Sequence, residues 1–207
     1  MRARYSGLAW EPLAFAWFFL WTILLDVMRP DYYFAHKAVS ELGALGAPYM
    51  WAMNLFGFVG TGVMLMLFAR AHRSAVAGPS TVPSALLALT GLLFALTAVP
   101  IAMGSDGDPD RSAAITQVHL LISQLGLLPW LLALFAHLKR YRQPRYGGLA
   151  AISLVTLIGF IAAIALFASG VGATTPGLMQ RIWFAIVLGW FAAAGLWLMC
   201  RKQEVSL

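Results

Sequence analysis

Charged residues are scarce in this chain of 207 residues: they make up 11% of it, whereas a soluble domain contains about 25%. One cysteine, Cys200, excludes an internal disulfide. In place of charge, 61% of the residues are hydrophobic, and the mean hydropathy is +0.79. These values exclude an ordinary soluble domain. They predict an integral membrane protein that forms a single domain over residues 1–207.

Sequence motifs for common cofactors and metals are also missing. We find no phosphate-binding glycine loop, no metalloprotease helix and no nucleophile elbow. The acidic loop at residues 104–114 lacks the closing Glu of a calcium loop. The net charge of +6 comes from basic residues in short loops, as membrane topology requires, so a nucleic acid is not a predicted partner. The sequence identifies no cofactor.

Six apolar runs have the length of a membrane span, which is about 20 residues. Each is predicted to be helical, because a helix satisfies its own backbone hydrogen bonds in lipid. The first run is predicted to be retained, since no small-residue cleavage site follows it. The predicted fold is therefore an all-α bundle of six transmembrane helices at residues 8–28, 49–69, 83–103, 116–138, 149–169 and 178–200.

The distribution of Lys and Arg predicts the orientation of the bundle. Positive charge near span ends favours the cytoplasmic side. Fewer basic residues lie on the opposite side: Arg29, Lys37, Arg111 and Arg181. Both termini are therefore predicted to be cytoplasmic, on the side that carries Arg2, Arg4, Arg70, Arg73, Lys139, Arg140, Arg142, Arg145, Arg201 and Lys202.

Polar residues concentrate at the predicted outer ends of the spans. Polar and ionisable groups are expensive near hydrocarbon, so such a cluster predicts a functional site. Spans two, four and six begin there, and helix N-termini favour anions. Together with Lys37 and Arg181, these ends predict binding of an anionic lipid head group. The candidate binding residues are Arg181, Gln180, Lys37, Asn54, Asp26 and Gln124.

The same end offers candidates for catalysis. His119 with Ser123 or Ser40 is a possible base and nucleophile, with Glu41 or Asp26 orienting the imidazole. A second arrangement, a zinc site, would use His36, His119 and an aspartate such as Asp106. The catalytic candidates are His119, Glu41, Ser40, His36 and Ser123, whereas His72 and His137 are interpreted as ordinary signals of the cytoplasmic side.

Two segments share the pattern of His, three residues, Ser, an acid or its amide, Leu and Gly. One runs from His36 to Gly43 and the other from His119 to Gly126. A His and a Ser four residues apart share one face of a helix. Each copy is predicted to start a helix that runs inward. Leu and Gly are abundant in this sequence, so the repeat is interpreted first as a chance match, and an internal duplication is the alternative.

The run from His36 to Pro48, continuing through Asn54 to Gly62, resembles the signature of the domain of unknown function 998 family. The segments at His119 and at residues 177–181 resemble that family too. The resemblance covers nearly the whole chain and implies a six-span, mostly bacterial membrane protein with no reaction assigned. It implies the inner membrane as location and maps onto Ser40, Glu41, Gly43, Gly46, Asn54, His119, Gln180 and Arg181.

Three functions are compatible with these observations. The first is binding, presenting or moving an anionic lipid or other amphiphile at the outer membrane face. The second is a small intramembrane enzyme that uses the His and Ser candidates on such a lipid. The third is an accessory subunit whose polar end is a docking surface. The bilayer is the expected environment, and a homodimer or larger membrane complex is a possible assembly.

Overall fold

The computed structural model describes residues 6–29, 31–76, 81–140, 146–170, 172 and 174–205. This part of the chain is helical and contains no named β-strand. Short 3-10 helices lie at Ser6–Ala9 and Val39–Gly43, and α2 includes a π-helical segment at Met53–Gly60. The six longer helices are α1 Trp10–Val27, α2 Met50–Ala75, α3 Val82–Leu96, α4 Ala114–Arg140, α5 Gly147–Ala168 and α6 Pro176–Val205.

The apolar helices predicted from the sequence are confirmed, with a correction to the third. Five helices are long and apolar enough to cross a membrane, whereas α3 has 15 residues and is about 22 Å long at 1.5 Å per residue. It ends at Leu96, before the predicted end at Met103. Pro100 disfavours helical conformation in Val99 before it and has no N–H of its own. The six-span count and the orientation remain predictions.

The helices pack in a closed ring. Each helix contacts the next one along the chain, and α1 contacts α6 to complete the circle. One close crossing joins α2 to α3, where a Cβ added to Gly62 would lie 2.5 Å from the Gly91 carbonyl oxygen. Two glycines that face each other therefore let these helices approach closely, as small residues do in membrane bundles.

Aromatic side chains fill much of the ring. Phe18 contacts the rings of Phe58, Phe94 and Phe184, with centroids 4.8–6.0 Å apart. A second group, with Trp190 at its centre, packs nearer the two chain termini. Large apolar side chains cover the outside, as expected for a surface that faces lipid; they include Leu20, Ile23, Val155, Ile158 and Ile161.

The segment between α1 and α2, residues 31–49, lies across one end of the ring, and we name it the strap. The ring end that carries the strap is the strap end, and the opposite end is the terminal end. Only Val39–Gly43 is helical in the strap, and it is a 3-10 helix. His36 lies in a turn before it, whereas His119 and Ser123 lie within α4. The prediction that both His-x-x-x-Ser copies start inward-running helices is therefore wrong.

Candidate functional site

The predicted site residues divide into two groups at the strap end. One group forms hydrogen bonds and ion pairs that hold the strap on the helices: Asp26, His36, Lys37, Glu41, Asn54, Gln180 and Arg181. The other group lines a cavity inside the ring: Ser40, His119, Ser123, Gln124 and Gln180. Gln180 belongs to both groups. The two groups have different chemistry: the first is charged and the second is not.

Arg181 is the centre of the strap network. Its Nη2 donates to both Asp26 carboxylate oxygens at 3.0 Å and to the Tyr32 hydroxyl at 3.1 Å. Its Nη1 donates to the backbone carbonyls of Phe34, at 2.7 Å, and Lys37, at 3.2 Å. The guanidinium thus joins α6 to the end of α1 and to the strap. With an acidic partner in place, this cation is already neutralised within the protein.

Other polar side chains attach the strap along its length. The Val39 N–H donates to the Gln180 side-chain oxygen at 2.5 Å. Asn54 donates to the Gly43 carbonyl at 2.9 Å, and the Glu41 carboxylate accepts the Ala38 N–H at 2.7 Å. A carboxylate that caps the first turn of a helix in this way satisfies a backbone donor which would otherwise lack a partner. These contacts set the position of the Val39–Gly43 helix.

The side chains of Lys37 and Tyr32 also form ion pairs or hydrogen bonds within the strap network. The Lys37 ammonium lies 3.1 Å from Asp108 and 3.4 Å from Glu41. Burial alone would lower the pKa of Lys37, but the hydrogen bonds and charges of these two carboxylates outweigh it and raise the pKa. Burial raises the pKa of the Tyr32 hydroxyl far above its ordinary value, so this group stays protonated and donates to the Ala38 carbonyl at 2.7 Å.

A cavity of about 240 Å³ lies between α3, α4 and α6 at the strap end. Its walls are mainly apolar and include Phe94, Leu127, Trp183, Phe184 and Val187. Most polar wall residues lie nearer the strap: Ser40, Thr97, His119 and Gln180, with Ser123 and Gln124 one turn deeper along α4. Thr90 lies deeper, in α3, and its hydroxyl donates to the Leu86 carbonyl at 3.0 Å. Among the described residues that line the cavity, none is an Asp, Glu, Lys or Arg. The cavity therefore has an uncharged polar end and an apolar interior.

Two residues that line the cavity on α4 are also exposed. Leu120 and Gln124 line it, yet both are exposed on the outside of α4. Gln124 is the eleventh residue of α4, which begins at Ala114, so its amide lies roughly 15 Å along the helix. An exposed amide at this depth of an apolar span is costly in lipid unless a polar group meets it.

His119 is buried in the cavity wall, and only 4% of its surface is exposed. Its Nδ1 lies 2.7 Å from the Val99 carbonyl oxygen. A carbonyl can only accept, so Nδ1 carries the hydrogen, and in the neutral ring Nε2 is an acceptor. The Val99 carbonyl thus holds the ring, whereas the sequence predicted Glu41 or Asp26 in that role. Both carboxylates instead bind the strap network.

The two candidate nucleophiles differ in their hydrogen bonds. The Ser123 hydroxyl donates to the His119 backbone carbonyl at 2.8 Å, the usual back-bond of a serine within a helix. Ser40 is 9% exposed, lines the cavity and has no hydrogen-bond partner within the described part of the chain. Neither hydroxyl is hydrogen-bonded to the His119 ring there. Ser40 is thus the hydroxyl that remains available to a ligand.

The residues of the predicted zinc site do not meet. His36 lies on the strap surface with Nδ1 2.7 Å from the Thr174 carbonyl. Asp106 accepts the Asp108 N–H in an exposed turn. The described residues contain no group of three or more His, Cys, Asp or Glu side chains arranged to hold a metal. Within those residues, the prediction that His36, His119 and Asp106 meet is wrong.

A second cavity, of about 310 Å³, lies against the strap on its charged side. Its lining includes two basic side chains, Arg29 and Lys37, and two acidic ones, Asp31 and Glu41. Ser40 and Glu41 are neighbours in the Val39–Gly43 helix, yet Ser40 lines the first cavity and Glu41 the second. This short helix therefore separates an uncharged cavity in the ring from a charged one at the surface.

Sequence reasoning missed a polar pair inside the terminal end. His72 on α2 and His137 on α4 are both buried, with their Nε2 atoms 3.1 Å apart. His72 also lies 3.0 Å from the Ser84 hydroxyl. The interpretation of these histidines as signals of the cytoplasmic side is wrong, because both are buried and contact each other. A usable signal existed: His72 follows Leu65 and Phe68 at intervals of seven and four residues, the spacing of one buried helix face.

Glu11, in the first turn of α1, is a second polar residue that the sequence reasoning missed. It is fully buried, and neither carboxyl oxygen has a hydrogen-bond partner among the described residues. It lies where α1 meets α6, because a Cβ added to Gly195 would approach its side chain at 3.1 Å. A buried polar group without a partner destabilises a fold and is rare in native structures.

The fold defines a class: an α-helical protein whose apolar helices form a membrane bundle, with polar groups gathered at one end. A family model described as "Protein of unknown function (DUF998)" matches residues 12–197. The chain belongs to this family, which confirms the resemblance seen in the sequence. No curated protein and no solved structure matches the chain.

Proposed function

We propose that the protein binds a membrane amphiphile in the cavity between α3, α4 and α6. The observation that carries the proposal is the polarity gradient in the cavity, from Ser40, His119 and Gln180 near the strap to apolar walls deeper in the ring. An apolar cavity with a few convergent polar groups is the usual form of a site for a small ligand. The polar group of the amphiphile would face the strap, and its chain would point into the ring.

Two exposed lining residues on α4 favour a ligand that comes from the bilayer. Leu120 and Gln124 line the cavity and are also exposed. Entry between helices at these residues would let a hydrophobic molecule reach the cavity without crossing water. The polar group of such a molecule would also meet the Gln124 amide, whose exposure in an apolar span is otherwise costly.

The anionic head group predicted from the sequence has less support than an uncharged one. Arg181 is paired with Asp26, and Lys37 with Glu41 and Asp108. Binding an anion at either cation would require breaking an existing pair. The charged cavity on the other side of the strap has balanced charges, whereas the cavity inside the ring has no charged lining.

Hydrolysis or acid-base chemistry in the same cavity is the second candidate function. The observation in its favour is that neutral His119 presents Nε2 as an acceptor, while the Ser40 hydroxyl in the same cavity has no described hydrogen-bond partner. These are the groups of a base and a nucleophile. Product formation would distinguish this function from binding, so the test below scores products as well as retained ligands.

The test is mass spectrometry of the lipids that co-purify with the protein from native membranes. Gly126 lines the cavity, and its added Cβ would meet only Leu93, at 3.5 Å, so Gly126→Leu extends a side chain into the space. Gly159→Leu is the matched control, because a Cβ at Gly159 meets nothing within 4 Å. We expect a retained amphiphile in the wild type and in Gly159→Leu that is lost in Gly126→Leu. Equal retention by all three proteins, or none in the wild type, would refute the proposal.

A further inference from the structure

The polar groups of the cavity have fixed hydrogen-bonding directions, because contacts elsewhere in the protein already use their other atoms. A ligand that binds there must supply the complementary donors and acceptors, since a buried polar group left without a partner loses affinity. Three side chains define the requirement: His119 on α4, and Gln180 and Trp183 on α6, where the buried Trp183 Nε1–H has no acceptor among the described residues. This reasoning rests on the proposed function and specifies its ligand.

His119 requires a donor from the ligand. Its Nδ1–H donates to the Val99 carbonyl at 2.7 Å, and the Thr97 backbone also lies close to the ring. In the neutral ring, Nε2 carries no hydrogen and offers a lone pair. The Phe58 ring lies edge-on to the imidazole, with centroids 6.5 Å apart, and lines the same cavity. In this apolar surrounding, His119 is an acceptor that requires an N–H or O–H donor from the ligand.

Gln180 requires an acceptor from the ligand. The Val39 backbone N–H can only donate, so the side-chain atom that meets it at 2.5 Å is the amide oxygen. The amide nitrogen, with two N–H groups, is then left on the cavity side. No described residue accepts a hydrogen bond from it, while its neighbour Arg181 is directed into the strap network. Gln180 is therefore a donor that requires an acceptor oxygen from the ligand.

We infer that the ligand of this cavity is an amphiphile whose polar group is an uncharged hydroxyl. A hydroxyl donates one hydrogen bond and accepts up to two, so one oxygen can donate to His119 and accept from Gln180. A carboxylate or a phosphate diester only accepts and would leave His119 without a donor. An ether or a quaternary ammonium lacks the donor as well. The ligand class is a long-chain or polycyclic alcohol.

The inference is tested with four probes that share a ten-carbon chain and differ in polar group: decanol, its methyl ether, decanoate and decyltrimethylammonium. Each labelled probe is equilibrated with protein-containing and empty lipid nanodiscs. We expect decanol to bind at least about tenfold more tightly than its methyl ether, because loss of a donor to a buried acceptor costs on that order. Equal binding of alcohol and ether by the wild type would overturn the inference.

Two variants keep the hydrogen bonds to the protein backbone and remove the nitrogen atom that would bind the ligand. His119→Asn retains an N–H near the Nδ1 position for Val99 but has no counterpart of Nε2. Gln180→Glu retains an oxygen for the Val39 N–H but has no amide nitrogen. We expect both to lose the preference for decanol over the ether. His36→Asn is the control, since His36 bonds the Thr174 carbonyl outside the cavity, and it should keep the preference. An unchanged preference in both cavity variants would also overturn the inference.

Failure of the inference differs from failure of the proposed function. If all four probes bind equally and Gly126→Leu loses all four, the cavity binds amphiphiles without selecting the hydroxyl. If no probe binds the wild-type protein, both the inference and the proposed function fail.

Discussion

The imidazoles of His72 and His137 form a hydrogen-bonded pair whose direction is determined by their outer partners. His137 Nδ1 lies against the Ala133 carbonyl, which can only accept, so its Nε2 is an acceptor in the neutral ring. His72 must then donate through Nε2–H over the 3.1 Å between the rings and accept from the Ser84 hydroxyl at Nδ1. The pair joins α2 to α4 across the ring, and α3 is attached to it through Ser84.

The histidine pair should contribute to stability as a unit. We expect His137→Ala to lower the free energy of unfolding by about 2–4 kcal/mol, because it opens a cavity and removes the acceptor of a buried N–H. The double variant with His72→Ala should lose less than the sum of the two single losses. Thermal unfolding in detergent of all four proteins in the cycle measures the coupling. Additive losses would contradict the pairing.

Arg181 should be required for the position of the strap. Arg181→Gln removes a partly buried ion pair with Asp26 and the donors to Phe34 and Lys37, so we expect a loss of about 2–4 kcal/mol. Hydrogen exchange in residues 31–49 should increase more than exchange in α5. Adding Asp26→Asn should recover part of the loss, because it removes the carboxylate that is left without a partner. Unchanged strap exchange in Arg181→Gln would contradict this role.

The crossing of α2 and α3 should not accept a methyl group. In Gly62→Ala the new Cβ would lie 2.5 Å from the Gly91 carbonyl oxygen. In Gly91→Ala the new Cβ would lie 2.8 Å from the Gly62 carbonyl oxygen. We expect each variant to lose roughly 1–3 kcal/mol, as overpacked interiors do. Gly159→Ala, which meets nothing within 4 Å, is the matched control and should be neutral. Equal unfolding temperatures for the variants and this control would show that the helices can separate without loss.

Glu11 and Glu41 should respond in opposite directions to the same substitution. Glu11→Met replaces a buried carboxyl that has no described partner, so we expect the free energy of unfolding to rise by about 1–3 kcal/mol. Glu41→Met removes the acceptor of the Ala38 N–H and the partner of Lys37, so it should destabilise the protein. Thermal unfolding distinguishes them, and a fall in stability for Glu11→Met would indicate that its carboxyl has a stabilising role.

The orientation predicted from Lys and Arg can be checked directly. A reporter fused after Leu207 should be active in the cytoplasm, and one inserted in the loop at residues 104–113 should be external. The strap end with its cavity would then face outward. The reverse pattern of reporter activity would invert the bundle and place the cavity on the cytoplasmic side.

The predicted placement of polar residues at one end of the spans rests on their depth in the hydropathy pattern. Asp26 and Arg181 were both expected at one end of the spans, and they form an ion pair there. Depth can be read from hydropathy, because each residue contributes to it independently of its neighbours in space. The zinc arrangement failed because equal depth does not imply contact: His36 is bonded to the Thr174 carbonyl, whereas His119 is bonded to the Val99 carbonyl.

The sequence by itself determined that this is a helical membrane protein of its family, where most helices lie and which end carries the polar groups, because hydropathy and motif spacing are properties of short stretches of chain. Only the tertiary structure decided which of those groups hold the strap and which line the cavity. It also decided that His72 and His137, 65 positions apart, form a pair. The physical reason is that helix rotation and ring closure select the partner of each polar side chain, and hydropathy and motif spacing record neither.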